Sequence, residues 1–486
     1  MSSIFSLRVL TVVFLLTGVA LALSPNPVFW VACLLLLPAI VWILGGKEAY
    51  PLLVWVIGLN WLSIAAGVLR GDLSGQSLTE GWLGPYDEQA ILISLCALLA
   101  IALGMRWGIQ FGGSRFRARF SAMSSKTRAG GRVDLGRLLV CYAGSLVVSQ
   151  VMGVLAASIP TLAQPLLAFA LLKYVVVYAI AASVFESDRG YSWLLLVIGA
   201  EFVVGMAGYF ASFKEPVFLL VIAMASSRYS LARATTWVIG LASVAVLLWV
   251  SIVWTAIKFE YRSEMSGKSL QERATWLTDR YLSPKIDYGD AATRLLDRVA
   301  ATELFALVLA NLDAGEISND FNFYRAAVKH VLTPRILFPD KAALDDSKIT
   351  TALTGERIDA DTSIGVGYIA EAQVDFGFPG LLFPMLAIGF MLGLATEYYI
   401  TRPVPMLVRQ AFATATSFYV FFFEVDIDKG LGAFIVGWLA MALILKFGYP
   451  LIAVWLTGAP RIYIVSGKRG LSRPLLKFAR QASPVE

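Results

Sequence analysis

The segment Phe323–Lys341 (FYRAAVKHVLTPRILFPDK) gathers four cations, Arg325, Lys329, Arg335 and Lys341, around the chain's single histidine, His330. On a helix ending before Pro334, Arg325 and Lys329 stand at i, i+4 spacing and share a face, and Arg335 and Lys341 follow on the turn. Guanidinium forks and ammonium groups hold phosphates by charge-assisted hydrogen bonds, so this group can act as an anion clamp. A solvated basic helix facing lipid headgroups fits the same letters equally well.

A second stretch, Thr362–Gly380 (TSIGVGYIAEAQVDFGFPG), places Gly367, Glu371 and Asp375 four apart, along one face of a helix. Gly377, Pro379 and Gly380 then bend or break that helix. Carboxyl groups against apolar surroundings are pushed up by desolvation and can transfer protons. The alternative is a first helical turn at the membrane interface in which one acid pairs with a loop arginine.

Two smaller features involve cations beside apolar runs. Lys214 lies in the hairpin Phe210–Pro216 (FASFKEP), as a phosphate ligand or as a lysine snorkelling from a helix end. Lys258, Glu260, Arg262 and Glu264 alternate in sign; Arg262 can reach a headgroup phosphate, and a surface salt-bridge ladder explains the group as a whole. The chain has no P-loop, no GxGxxG and no HExxH, and one histidine rules out a histidine-based metal centre.

The elements that must position these residues follow from composition. The chain has 486 residues, 58% of them hydrophobic and 15% charged, with a mean hydropathy of +0.71. Soluble domains carry about one quarter charged residues, so this chain has more apolar surface than one water-soluble core can hide. Its apolar residues fall in runs of about 20, the length that crosses a bilayer as a helix. Cys33, Cys96 and Cys141 all lie inside such runs, which excludes a disulfide framework. The net charge of +6 comes with no nucleic-acid motif.

The sequence predicts an all-α polytopic bundle of about twelve transmembrane helices, the first at Phe5–Leu23, with one large extracytoplasmic loop. Residues 1–257 form an N-terminal bundle of about nine helices. Residues 258–379 form the loop domain, 380–458 the C-terminal transmembrane helices, and 459–486 a basic tail. The connector from Arg106 to Arg137 carries eight basic residues and one acid, Asp134, which places it and both termini in the cytoplasm. Charge within the spans is sparse, Lys173 and Glu201 being the main exceptions. An ionisable pair inside a membrane points towards function, here towards a transporter if the two line a central cavity.

The Lys214 hairpin, the PRILFPDK stretch and the ExxxDFGxxG stretch before an apolar span together resemble the oligosaccharide repeat-unit polymerases, the O-antigen polymerase family of bacterial envelopes. The resemblance spans the chain in architecture and about fifty positions in residues. It implies a fold similar to GT-C-type polymerases and ligases, in the bacterial inner membrane with the long loop periplasmic. The implied activity is a glycosyltransferase that polymerises polyprenyl-pyrophosphate-linked repeat units into a surface polysaccharide or exopolysaccharide, without metal or other cofactor. Its partners would be that lipid-linked substrate, membrane lipids, a chain-length regulator and a flippase, and no nucleic acid. Carried onto this sequence, Lys214, Arg262 and Arg335 bind the pyrophosphate, with Arg325 and Lys341 in reserve. Glu371 is the first choice of base and His330 the second, with Asp375 beside them. The paired-arginine pattern of polymerase loops has no unique match here. A ligase that hands a finished glycan to another acceptor would use nearly the same groups, and a polysaccharide or lipid transporter is the reading from another class.

Overall fold

A computed structural model of the chain describes residues 15, 17–19, 22–45, 51–81, 83–124, 133–207, 214–227, 234–265, 267–281, 286–317, 322–335, 337–338, 341, 346–357, 364–418 and 420–457. Among them the regular structure is helical. The apolar runs become α1 (Pro27–Leu44), α2 (Pro51–Leu73), α3 (Pro85–Ser124), α4 (Leu135–Ser158), α5 (Ala163–Ala170), α6 (Leu172–Ser187), α7 (Tyr191–Ala207), α8 (Lys214–Ser226) and α9 (Ala234–Glu264). Proline opens α1, α2 and α3, where its missing N–H lacks a helical partner anyway.

The polar stretch forms α10 (Leu270–Tyr281), α11 (Tyr288–Val299), α12 (Thr302–Asp313), α13 (Phe323–Leu332) and α14 (Asp346–Thr354). The helix expected before Pro334 is α13. The chain continues as α15 (Tyr368–Gly380), α16 (Leu382–Ile400), α17 (Met406–Ser417), α18 (Ile427–Leu443) and α19 (Tyr449–Thr457). The bend read from Gly377 is present: Gly377 (φ 59°, ψ 176°) and Phe378 (ψ 132°) leave helical geometry inside α15.

Among the described residues eight segments are long and apolar enough to cross a membrane, which makes this a multi-pass helical membrane protein. They are Pro27–Leu44, Pro51–Leu73, Pro85–Phe116, Leu135–Ser158, Pro160–Ser187, Gly240–Glu264, Leu382–Ile400 and Ile427–Thr457. The other four expected spans are not among them within the described residues. Most of Phe5–Leu23 lies outside the described residues, as does the tail 459–486. The remaining three, α7, α8 and α17, have 17, 13 and 12 residues. At 1.5 Å per residue, α17 is about 18 Å long, roughly half a bilayer's hydrocarbon thickness.

The tightest helix pair is α3 with α16. Gly104, Gly108 and Gly112 on α3 face Gly389 and Gly393 on α16, and the backbones touch: a Cβ on Gly108 would lie 2.2 Å from the Phe390 carbonyl oxygen, and one on Gly393 2.1 Å from that of Met105. Gly389 meets Ile101 and Gly393 meets Met105, so residue numbers rise together and the helices run parallel. Small residues every fourth position are what lets helices approach this closely where lipid removes the hydrophobic drive.

Around this pair, α6 packs on α4, α8 and α17, and α18 on α5 and α13. At the end of the bundle that carries α10–α14, hereafter the loop face, Arg70 on α2 holds Asp297 at 2.7 Å and also pairs with Glu303. At the opposite face arginines cap the carbonyl ends of helices. The Arg106 guanidinium donates to the Ile43 carbonyl at 2.6 Å, Arg409 to those of Ile400 and Val404 at 2.8 and 2.6 Å, and Arg137 to that of Trp455.

Candidate functional site

The helices α17 and α18 are joined by a non-helical stretch, and it crosses a second one, residues 364–367, that leads into α15. The Tyr368 N–H donates to the Val425 carbonyl at 2.9 Å and the Gly367 N–H to the Asp426 carboxylate at 3.3 Å. Gly367 has φ +90°, and a Cβ there would lie 1.8 Å from the Phe423 carbonyl oxygen, so only glycine allows the crossing. Both strands of the crossing are tied to α2. The Tyr368 hydroxyl donates to the Asn60 amide oxygen at 3.1 Å, and the Asn60 amide nitrogen donates to the Phe421 carbonyl at 2.8 Å.

One side of the crossing is acidic. Glu371 and Asp426 are each 1% exposed. Glu371 Oε2 accepts the Ile427 N–H at 2.7 Å, satisfying a first-turn donor of α18, where the helix dipole favours negative charge. Asp426 Oδ2 is buried with no hydrogen-bond partner. Burial, then the charge of Asp426, holds the Glu371 carboxyl well above the usual range. Burial, then Asp346, pushes Asp426 up to about 7. Asp346 itself pairs with Lys429.

Asp375, one turn beyond Glu371, serves a different helix. Its two oxygens accept the Phe323 and Tyr324 N–H groups at 3.0 and 2.8 Å, so Asp375 caps α13 from a distance. The cap residue Asn322 makes no side-chain bond of its own to the helix. Asp375 thereby fixes the helix that carries Arg325, Lys329 and His330.

The expected phosphate ligands fall into two groups. At the end of α13, Lys341 Nζ donates to the His330 carbonyl. Burial, then Lys341 and Arg335, lowers the imidazole to about 4, which leaves His330 neutral at neutral pH. Arg325 and Lys329 lie on the exposed side of this helix.

The second group combines Lys214 at the start of α8, Lys258 and Arg262 on α9, and Arg294 and Arg298 on α11. Lys258 lies within electrostatic range of the other four. The ammonium of Lys214 is disfavoured by burial and then by Arg298, and favoured by Glu424 and Glu215. Burial raises the Glu424 carboxyl, and Arg298, Lys214 and Lys258 pull it back. The segment Phe423–Asp426 is thus a shared wall, with Glu424 facing the cations and Asp426 the acids.

Deeper in the bundle, Lys173 Nζ and Glu201 Oε2 form an ion pair at 2.8 Å, with side chains 10% and 2% exposed. The Tyr142 hydroxyl donates to Glu201 at 2.9 Å, and that of Tyr174, beside Lys173, donates to Glu215. The pair singled out from the sequence is therefore real, and the residue after Lys173, Tyr174, bonds the neighbour of Lys214.

Arg294, Arg298, Glu424, Asp426 and Asp428 were not among the residues picked from the sequence. The signals were there: Arg294 and Arg298 stand at i, i+4, and EVDIDK puts four charges between two apolar runs. Among the described residues no three His, Cys, Asp or Glu side chains are grouped to hold a metal ion. No family model matches the chain, and no curated protein or solved structure matches it.

Proposed function

We propose that the chain is a glycosyltransferase that polymerises polyprenyl-pyrophosphate-linked repeat units at the extracytoplasmic face of the bacterial inner membrane. The observation that carries this reading is the convergence of Lys214, Lys258 and Arg298 on one carboxylate, Glu424, with Arg262 and Arg294 within electrostatic range of Lys258. Like charges gathered in a half-buried site disfavour one another, and a doubly charged pyrophosphate relieves them. The reading includes the twelve spans and cytoplasmic termini expected from the sequence. The arginine-capped helix ends lie opposite the loop face, as the positive-inside rule asks of a cytoplasmic side.

In the reaction, the acceptor hydroxyl oxygen attacks the anomeric carbon of the donor sugar. The bond from that carbon to the pyrophosphate oxygen breaks, and its electron pair leaves on polyprenyl pyrophosphate. Lys214, Arg262 and Arg298 stabilise the charge that develops there. Glu424 takes the hydroxyl proton, since it is the carboxylate turned towards those cations. Glu371, expected as the base from the sequence, is sealed from solvent and engaged by the Ile427 N–H. Arg335 and Lys341, beside the neutral His330, form a second cationic rim near α18, suited to the acceptor's own pyrophosphate.

The test replaces Lys214, Arg298 and Glu424 singly (K214A, R298A, E424Q), with E371Q as comparison, in cells where membrane levels are matched. Long-chain polysaccharide should fall about 10²-fold or more in the first three, leaving single lipid-linked units, and persist in E371Q. Full-length polysaccharide in all four would end the proposal. The buried Lys173–Glu201 pair is where a transporter reading would start, and that reading predicts instead that K173M abolishes export while K214A leaves polymer length unchanged.

A further inference from the structure

The loop face holds a second recess, a cleft of about 340 Å³ between the ends of α2 and α3 and the α11–α12 junction. Arg70, Asp87 and Glu303 supply its ionic lining, Ser74 and Gln76 its neutral polar lining, and Leu78 part of an apolar floor. Arg70 is engaged by Asp297 and Glu303, so the carboxylates outnumber the cation and the cleft repels phosphates.

Its wall is built to keep its shape. Asp72 accepts from the Ser24 hydroxyl, the Asn26 amide and the Trp30 indole at 2.8, 2.8 and 2.6 Å. Asn26 in turn accepts the Leu78 N–H at 2.8 Å and donates to the Gln76 carbonyl at 3.1 Å. The turn after α2 is therefore fixed before any ligand arrives.

The cleft also stands in a defined relation to the cationic group. On α11, Arg294 and Arg298 face the cations, while the adjacent Asp297 holds Arg70. Asp297 is about 100° round the helix from Arg298 and, three residues on, a neighbour of Arg294, so the two sites lie on adjoining sides of α11.

We infer that the cleft binds a neutral sugar unit of the glycan through its hydroxyls, while the cationic group holds the pyrophosphate end. Carboxylates accept from sugar hydroxyls and the guanidinium donates to them, and a pocket of mixed apolar and fixed polar lining suits one or two sugar units. This rests on the polymerase reading and adds to it a second contact with the growing chain.

The experiment uses the purified full chain in detergent and, as probe, the host's own repeat-unit oligosaccharide freed of its lipid pyrophosphate. Equilibrium binding is measured by calorimetry for the wild type, Asp87→Asn, Gln76→Ala and Lys214→Ala. Gln76 is exposed, so its truncation leaves the fold intact. Both cleft variants should bind at least tenfold more weakly, and Lys214→Ala as the wild type does. Absence of binding by the wild type, or binding as tight as the wild type's in either Asp87→Asn or Gln76→Ala, overturns the inference, as does loss of binding in Lys214→Ala alone. The polymerase reading falls on a different result, unchanged polysaccharide length in cells carrying Lys214→Ala.

Discussion

Asp426 and His330 are held away from their ordinary protonation in opposite senses, and stability should record both. Asp426 titrates at about 7 in the folded chain against an ordinary 3.8. Between those values the folded state holds a proton that the unfolded state has released, so stability falls as pH rises from about 4 to 7. His330 titrates at about 4 against an ordinary 6.5. There the unfolded state holds the extra proton, and stability falls as pH drops from about 6.5 to 4. The two windows overlap and their slopes oppose, so Asp426→Asn should make the melting temperature in detergent climb more steeply with pH between about 4 and 6.5, and His330→Gln should make it fall across the same range. Unchanged profiles in both variants would mean that neither group titrates as its surroundings dictate. The acidic stretch Glu424–Asp428 shows why part of the site was missed in the sequence: hydropathy averaged over a span hides a charged break that only the fold turns inward. Glu371 and Asp375 were legible as a pair, but not that one serves α18 and the other α13, because the partner helices are remote in sequence.

At the level of elements, the glycine seam between α3 and α16 carries the sharpest expectation. Gly393→Val puts a side chain where 2.1 Å separates a Cβ from a carbonyl oxygen, and two backbones must part to admit it. The cost should be about 2–3 kcal/mol or more, seen as loss of the monodisperse peak on detergent gel filtration. Gly144→Val and Gly199→Val, where a Cβ meets nothing within 4 Å, should leave that peak in place. If Gly393→Val behaves as they do, the helices are not in contact as described. Gly104, Gly108 and Gly112, like Gly389 and Gly393, are spaced by four within apolar runs, so a small-residue face on each helix is written in the sequence. What the sequence lacked was any sign that these two segments, among so many apolar ones, were partners. The kink at Gly377 and the helix before Pro334 were legible because glycine and proline act locally. The half-length α17 was not, because its apolar residues run on into the stretch that leaves the helix.

For the molecule as a whole, the proposed topology predicts which surfaces meet the outside. With Cys33, Cys96 and Cys141 replaced, Ser74→Cys and Ser269→Cys on the loop face should react with an impermeant maleimide on intact cells. Ser114→Cys, on the part of α3 beyond the Arg106 contact, should react only after the membrane is opened. The reverse pattern would invert the protein and remove the polysaccharide reading with it. The parallel contact of α3 and α16 has one more consequence, for the order of events during synthesis. Gly104 leaves the ribosome 285 residues ahead of Gly389, its neighbour across the seam. At 5–20 residues per second that is on the order of 15–60 s. For that interval the glycine face of α3 waits in the bilayer with its backbone bare to lipid. A nascent chain stalled or truncated before residue 382 cannot close the seam, and it stays a substrate for membrane proteases however well its earlier helices have inserted.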